Sequence, residues 1–284
     1  MKKQDFKVLK TKDLYPFPDN PFHVAEDETL SELAESIKEF GIVTPIITRP
    51  KEDGDGYEVI AGQRRVRASE LAGINTVPAF VLPLDRDRAI ITLVDSNLQR
   101  ENILPSERAF AYKMKSEAMK RQGFRTDLTS SQVVTKLRTD DKVAQGFGVG
   151  RMTVQRFIRL TELIPPILQM VDEGKIALTP AVELSFLKKD EQENLFATME
   201  SEEATPSLSQ AQRMKKLSQS GELNEDTMLS IMMEQKKPEK NDITLSGEKL
   251  RKYFPRSYTP FQIENTIFKL LDAWQKKRQR DQSR

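Results

Sequence analysis

The sequence lacks cysteine and has almost no histidine, and these shortages exclude several kinds of chemistry. With no cysteine among its 284 residues, the chain can form no disulfide, thiolate metal site or cysteine nucleophile. One histidine, His23, leaves little room for a metal centre or a Ser-His pair. No apolar run approaches the ~20 residues of a membrane span, and the N-terminal MKKQDFKVLK has no apolar signal core. We therefore expect a protein of a reducing cytoplasm.

The net charge is also small, because the sequence has 45 Lys and Arg residues and 43 Asp and Glu residues. Bulk charge therefore neither requires nor excludes a nucleic-acid partner, and the local distribution has to decide. The length predicts two or three domains.

The first third of the chain has an α/β pattern. The segment DETLSELAESIKEFG predicts a helix, and Thr29 and Glu32 are spaced as its capping box. IVTPIITRP and YEVIAG predict two paired strands around the turn EDGDG, and NTVPAFVL predicts a further strand. DRAIITLVDSNLQREN then predicts a helix with polar residues at its C-terminal end.

From Pro105 the pattern becomes all-helical, and a charged segment, KKPEKND, predicts a linker near its end. We expect four parts: a domain over residues 1–104, a helical domain over 105–235, a linker over 236–242, and a basic module over 243–284.

The segment GQRRVRASELAG raises a question of charge. It places Arg64, Arg65 and Arg67 in the first turn of a predicted helix, where unpaired N–H groups already carry partial positive charge. One interpretation is a phosphate site, with Gly62 allowing close backbone approach and guanidinium groups binding oxygens. The other is a solvated basic patch on a helix that packs through its apolar side.

Position adds weight to the phosphate interpretation. The order of an apolar strand, a glycine turn and a helix is the arrangement that gathers phosphates in α/β folds. A second polar cluster, DSNLQREN, puts Asn97 and Arg100 on one helix face. These two residues could bind Mg²⁺ or phosphate oxygens, or could be a helix cap with an exposed ion pair.

The segment DDKVAQGFGVGRMTVQRFIRL predicts a helix-turn-helix over about residues 140–160. Ala144, Gly148 and Val154 occupy the small, turn and core positions of that motif. The outer face of the second helix offers side chains suited to base edges in the major groove, namely Arg151, Thr153, Gln155, Arg156 and Arg159. The alternative is an ordinary helical pair with a polar outer face.

The C-terminal module contains TPFQIENTIFKLLDAWQKKRQR, with Thr259 as helix cap and Pro260 in the first turn. Its apolar stripe consists of Ile263, Ile267, Leu270 and Trp274. Such a stripe needs a partner surface, which is either a second copy of the chain or the segment ITLSGEKLRKYF. Ten basic residues against four acidic ones between 246 and 284 suit contact with DNA phosphates.

The order of these segments resembles the ParB family of chromosome and plasmid partition proteins. The matching stretches are LYPFPDNPF, ESIKEFGIVTPIITRP, YEVIAGQRRVRASELAGINTVPAFV and SNLQREN, and the helices to about residue 187 also fit. The resemblance implies a ParB/sulfiredoxin-like α+β domain, an all-α helix-turn-helix domain and a helical or α+β C-terminal module that dimerises. Within the family we expect a plasmid- or mobile-element-type member.

The resemblance also implies a ligand and partners. GQRRVRA resembles the family box that holds the triphosphate of CTP, and SNLQRE resembles the box whose Asn and Arg serve metal and phosphate. The implied nucleotide-binding residues are Thr44, Pro45, Gly62, Gln63, Arg64, Arg65, Arg67, Ala68, Asn97 and Arg100, with Asn97 serving Mg²⁺. The implied partners are a specific centromere-like DNA site, non-specific DNA, a second copy of the chain and a ParA-type ATPase.

Three departures from the family pattern bear on function. Gln63 and Ser96 stand where relatives carry glutamates, and Phe22 stands where many carry arginine. Because a carboxylate can orient water, Gln63 and Ser96 predict CTP binding with slow hydrolysis. These two residues also keep open a DNA-binding regulator without nucleotide switching, whereas Phe22 bears on one contact of the N-terminal segment. A sulfiredoxin-like enzyme would need a cysteine, which the chain lacks.

Overall fold

The structure, a computed structural model, describes residues 5–97, 100, 103–127, 139–234, 250, 252–255 and 257–282. The chain divides into two compact units, residues 1–234 and 235–284. The two domains expected before the linker thus lie within one unit. The expected linker, 236–242, is outside the described residues, and the four boundaries stay a prediction. In the described part of the chain, no helix is long and apolar enough to cross a membrane.

A five-stranded mixed sheet forms the base of the N-terminal part. Its strands are β1 (Asp5–Lys10), β2 (Leu14–Pro16), β3 (Ile46–Pro50), β4 (Tyr57–Ala61) and β5 (Thr76–Val81). They lie in the order β1-β5-β3-β4-β2. β3 pairs antiparallel with β4 and parallel with β5, so the predicted hairpin is confirmed. β1 and β2 form the two edges, and the sequence patterns did not predict either strand.

Two helices, α2 (Gln63–Leu71) and α3 (Arg86–Asn97), cover this sheet, and α1 (Glu28–Phe40) packs on α2. Consecutive residues of a strand face opposite sides, and Val59 and Ile60 accordingly enter different apolar clusters. Val59 clusters with Val66 of α2, whereas Ile60 clusters with Leu93 of α3. The fold therefore sandwiches β4 between α2 and α3.

The start of α1 differs from the expected capping box. Asp27 is the N-cap, and its Oδ1 accepts a hydrogen bond from the Leu30 backbone N–H at 2.9 Å. Thr29 lies inside the first turn and donates its hydroxyl to Asp27 at 2.8 Å. The expectation that Thr29 caps the helix was wrong, because Asp at position 27 offers a carboxylate one turn before the first buried leucine.

The rest of the first unit is helical over the residues that the structure describes. The helices there are α4 (Pro105–Asp127), α5 (Thr139–Phe147), α6 (Arg151–Leu160), α7 (Pro165–Asp172), α8 (Leu178–Leu184), α9 (Lys189–Ser201), α10 (Leu208–Ser220) and α11 (Glu225–Met233). α4 packs on α3 and also on α5 and α6. It is therefore the element that joins the sheet-containing part to the helical part.

The second unit contains α12, which spans Pro260–Gln282. Thr259 caps this helix, as the sequence predicts, and exchanges the two hydrogen bonds of a capping box with Gln262. Residues 250, 252–255 and 257–282 include no strand.

Candidate functional site

The hairpin brings two distant loops together. Because β3 and β4 are antiparallel, with Ile47 opposite Ala61, the loop before β3 lies beside the turn after β4. The buried ion pair between Arg49 and Glu58, with Nε to Oε2 at 2.6 Å, fixes the two strands from inside. Thr44 and Pro45 therefore sit next to Gly62.

A cleft of about 220 Å³ opens at this place. Its lining combines the N-terminal segment, the start of α2 and the residues after α3: Asn20, Phe22, His23, Val24, Ile60, Ala61, Gly62, Gln63, Arg64, Arg65, Asn97 and Arg100. The two polar boxes that the sequence singled out thus share one cleft. Of the expected nucleotide-binding residues, six line it, and Thr44, Pro45, Arg67 and Ala68 do not.

Gly62 begins α2 in a left-handed conformation, with φ 102° and ψ 24°. Glycine adopts this conformation without the strain that a side chain would introduce. The first hydrogen bonds of the helix run from the N–H groups of Arg65 and Val66 to the Gly62 carbonyl. The amides of Gln63 and Arg64 precede them, which is the arrangement that suits an anion.

Arg65 is held across the mouth of this turn. Its Nη1 donates to the carbonyl oxygens of Thr44 and Pro45, the latter at 2.9 Å. Burial lowers the pKa of the Arg65 guanidinium below its ordinary value. Thr44 and Pro45 therefore contribute by orienting Arg65 through their backbone.

Arg64 and Arg67 pair with acidic residues, which explains how basic side chains are tolerated in the first turn of α2. Arg64 donates to Asp27 Oδ1 at 3.1 Å and to Thr29 Oγ1 at 2.6 Å, and Arg67 donates to Glu26 Oε1 at 2.5 Å. The hydrogen bonds from Arg64 and Thr29 lower the pKa of the Asp27 carboxyl to about 2. The acidic residues before α1 thus balance two of the three arginines.

Ala68 is fully buried against α1, in a cluster with Leu30, Ala34 and Ile37. Its side chain packs the two helices together and is placed away from the cleft. Its small size lets α1 and α2 approach closely.

Asn97 is the last residue of α3, and the backbone sets the orientation of its amide. Its Nδ2 donates to the Leu93 carbonyl at 2.9 Å, and since a carbonyl can only accept, Oδ1 is the other end of the amide. An amide oxygen is a ligand that Mg²⁺ accepts together with phosphate oxygens and water. Among the described residues, no group of three or more His, Asp or Glu side chains could hold a metal by itself.

The structure shows the contacts of Ser96 and Phe22, two of the positions that depart from the family pattern, and of Asp95 beside Ser96. Ser96 is exposed and donates its hydroxyl to the Leu93 carbonyl at 2.8 Å. Asp95 points to α4, where Lys115 Nζ binds its Oδ1 at 2.5 Å. Phe22 is buried with Val94 and Ala111 and supplies no cation.

The helix-turn-helix consists of α5 and α6 around Gly148, whose φ is 63°. Val143, Ala144, Val154 and Phe157 are buried beneath it, and Phe147 and Val149 are partly buried. On α6, Gln155 and Arg156 are exposed, while Arg151, Thr153 and Arg159 are half-buried.

Arg159, one of the expected DNA-binding residues, is engaged within the protein. Its Nη2 donates to the Ser185 carbonyl at 2.8 Å, and its guanidinium lies 4.2 Å from the centre of the Phe186 ring. The side chain therefore ties α6 to the end of α8.

The apolar stripe of α12 is largely exposed within its own unit. Leu270 is 63% exposed and Trp274 is 58% exposed, whereas Ile263 and Ile267 are half-buried. Part of the alternative partner, ITLSGEKLRKYF, lies outside the described residues.

Known proteins resemble the chain in sequence. Residues 1–98 match the ParB N-terminal domain, and residues 130–219 match the ParB HTH domain. The chain is 40% identical over 162 residues to the probable chromosome 1-partitioning protein ParB of Deinococcus radiodurans. That match covers 57% of this chain and 49% of the relative, so the chain spans about half the length of that protein.

Two solved structures of the C-terminally truncated chromosome-partitioning protein ParB from Caulobacter crescentus are also similar. The complex with the centromeric parS site is 24% identical, with a TM-score of 0.45, and covers 74% of this chain and 98% of that one. The complex with CTP-gamma-S is 28% identical, with a TM-score of 0.32, and covers 64% and 92%. With both family domains in their expected order, and with the predicted fold in place, the chain belongs to the ParB family.

Proposed function

We propose that this protein is a partition protein that binds a centromere-like DNA site and closes around DNA as a CTP-dependent dimeric clamp. The observation that carries the proposal is the convergence of Gly62, Arg64 and Arg65 with Asn97 and Arg100 on one cleft. Backbone amides, guanidinium groups and an amide oxygen are the groups that bind a triphosphate with its Mg²⁺.

The residues divide the work by chemistry. Arg64, Arg65 and Arg100 would hold phosphate oxygens, the turn at Gly62 would offer its amides, and Oδ1 of Asn97 would hold Mg²⁺. The metal would neutralise part of the phosphate charge. Arg67 would act indirectly, because its pairs with Glu26 and Glu70 fasten α2 to the segment before α1.

A physical connection between the cleft and the DNA-binding helices supports the coupling of the two ligands. Lys115 of α4 binds Asp95 near the end of α3, and its Nζ also lies 4.9 Å from the centre of the Phe147 ring in α5. Arg121 of α4 binds Asp87 of α3 at 2.7 Å. A nucleotide that moves the end of α3 would therefore also act on α4 and the helix-turn-helix.

A second candidate is a DNA-binding regulator that has kept the fold without nucleotide switching. The pairing of Arg64 with Asp27, and of Arg65 with two carbonyl groups, favours it, because a nucleotide would have to compete with these partners.

Calorimetry with the four ribonucleoside triphosphates, with and without Mg²⁺ and candidate DNA, separates the two candidates. The clamp predicts preferential binding of CTP and an Arg65→Ala variant weakened by about 1.5–3 kcal/mol. Equal and weak binding of all four nucleotides would favour the second candidate, the DNA-binding regulator.

A further inference from the structure

A short hydrogen-bond network fixes the orientation of the Asn20 side chain at the edge of the cleft. The Phe22 backbone N–H donates to Asn20 Oδ1 at 3.2 Å, and Asn20 Nδ2 donates to the Phe22 carbonyl at 3.2 Å. A backbone N–H can only donate and a carbonyl can only accept. The two ends of the Asn20 amide are therefore identified by their backbone partners.

The orientation of Asn20 in turn determines that of Gln63. Asn20 Nδ2 has a second hydrogen, which points to the Gln63 side chain at 2.7 Å and needs an acceptor. Oε1 of Gln63 must be that acceptor, so Nε2 is the other end of the amide. In the described part of the chain, this Nε2 is buried and has no hydrogen-bond partner.

A buried donor without a partner is costly, and native proteins contain few of them. This donor belongs to Gln63, the first residue of α2, which lines the cleft together with Arg64, Arg65 and Arg100. We propose that Gln63 Nε2 donates a hydrogen bond to a phosphate oxygen of the bound nucleotide. The inference rests on the proposed function and assigns Gln63 a role in affinity.

A glutamate at this position would behave differently. It could also accept from Asn20 with one oxygen, but its second oxygen would bring negative charge towards the phosphates. Gln63 replaces that repulsion with a hydrogen-bond donor. The same substitution that predicts slow hydrolysis therefore predicts tighter binding.

The test is calorimetry of the full chain with CTP and, separately, with inorganic tripolyphosphate. Gln63→Met removes the donor, together with the acceptor for Asn20, with little change in size, and Gln63→Glu keeps that acceptor while adding charge. We expect Gln63→Met to weaken both ligands about 10-fold, as for a lost hydrogen bond to a charged group, and Gln63→Glu to weaken them further. Thermal unfolding and DNA binding report whether each variant is folded.

The outcomes are distinct. If the unaltered chain binds neither ligand, the proposed nucleotide function fails before the inference is reached. If it binds CTP and both variants bind equally well, or if only CTP and not tripolyphosphate is weakened, the phosphate contact is overturned. Should a variant not fold, the side-chain amide resonances of Gln63 in the unaltered chain give the answer. They must shift when tripolyphosphate is added, and unchanged resonances at saturation would contradict the contact.

Discussion

The guanidinium of Arg65 lies over the α-carbon of Gly62. A Cβ atom at position 62 would come within 3.1 Å of Arg65 Nη2 and 2.7 Å of Ile46 Cγ2. The glycine is therefore required twice, once for its left-handed φ and once for the space that Arg65 occupies. The position of Arg65 in the cleft therefore depends on the absence of a side chain at residue 62.

We predict that Gly62→Ala abolishes CTP binding and lowers the free energy of unfolding by about 1–3 kcal/mol, the range for a strained backbone residue. The measurements are calorimetry and chemical denaturation. Gly73→Ala is the matched control, because Gly73 is also left-handed, at φ 72°, but has no atom within 4 Å of its missing Cβ. It should lose stability and keep CTP binding. Equal loss of binding in both variants would contradict the role of the space at Gly62.

We predict that Asp27→Asn strengthens CTP binding, because Asn still caps α1 but, without a negative charge, competes less strongly for Arg64. Glu70→Gln, which removes a partner of Arg67 outside the cleft, should leave CTP binding unchanged. Calorimetry at neutral pH checks both. Weaker binding by Asp27→Asn would instead mean that the carboxylate positions Arg64 for the ligand.

The ion pair between Asp27 and Arg64 predicts that the free energy of unfolding depends on pH. The pKa of Asp27 is about 2 in the folded chain, against an ordinary value of 3.8. Its contribution to stability is therefore complete above about pH 3.8 and is lost as the pH falls through about 2. Unfolding free energies measured between pH 5 and 2 should depend less on pH in Asp27→Asn. An unchanged slope would show that the carboxyl titrates normally.

We predict that Arg156→Ala and Arg159→Ala have different effects. Arg156 is exposed on α6, so its loss should weaken specific DNA binding by about 1–3 kcal/mol and spare stability. Arg159 is engaged with Ser185 and Phe186, so its loss should lower stability. Fluorescence anisotropy with specific and scrambled DNA, and thermal unfolding, separate the two effects. If Arg156→Ala weakens both DNAs equally, the side chain contacts phosphate only.

We predict that Ser96→Glu raises DNA-stimulated CTP hydrolysis without tightening CTP binding, because it restores a carboxylate beside Asn97. Ser96→Gln is the neutral control and should hydrolyse CTP as slowly as the unaltered chain. The measurement is phosphate release at saturating CTP. Fast hydrolysis by the unaltered chain would contradict the prediction; Asp95 is a poor substitute, since Lys115 holds it at α4.

We predict that Leu270→Glu, or deletion of residues 243–284, turns a dimer into a monomer. Leu270 belongs to the exposed apolar stripe of α12, and a carboxylate there cannot be buried without large cost. Asn265→Glu adds the same charge on the exposed opposite side of the helix and should leave the dimer intact. Sedimentation analysis decides, and a dimer that survives the deletion without nucleotide would place the interface elsewhere.

The sequence predicted those elements whose signal is local. The hairpin of β3 and β4, the helix α2 and the helix-turn-helix each have their own periodicity and glycine turns. β1 has no such signal, because only Leu9 of its six residues is buried. It exists through its pairing with β5, which is a long-range contact that no local pattern contains.

The sequence predicted the arginines of the cleft but not the acidic residues that pair with them. Glu26 and Asp27 reach Arg67 and Arg64 across about forty residues of sequence, so spacing along the chain could not reveal the pairs. Asn20 and Gln63 are equally remote. A search for acidic residues before α1 could have suggested the balance of charge, whereas the orientation of an amide requires three dimensions.

The packing of α4 on α3 has a practical consequence for anyone who wishes to isolate the nucleotide-binding part. A fragment ending at residue 104 would expose Ala89, Leu93 and Val94, which the structure buries together with Ala111 and Ala118 of α4. Such a fragment should aggregate or bind detergents. A fragment that continues through Asp127 includes α4, which covers these apolar residues, and is the better choice for crystallisation or spectroscopy.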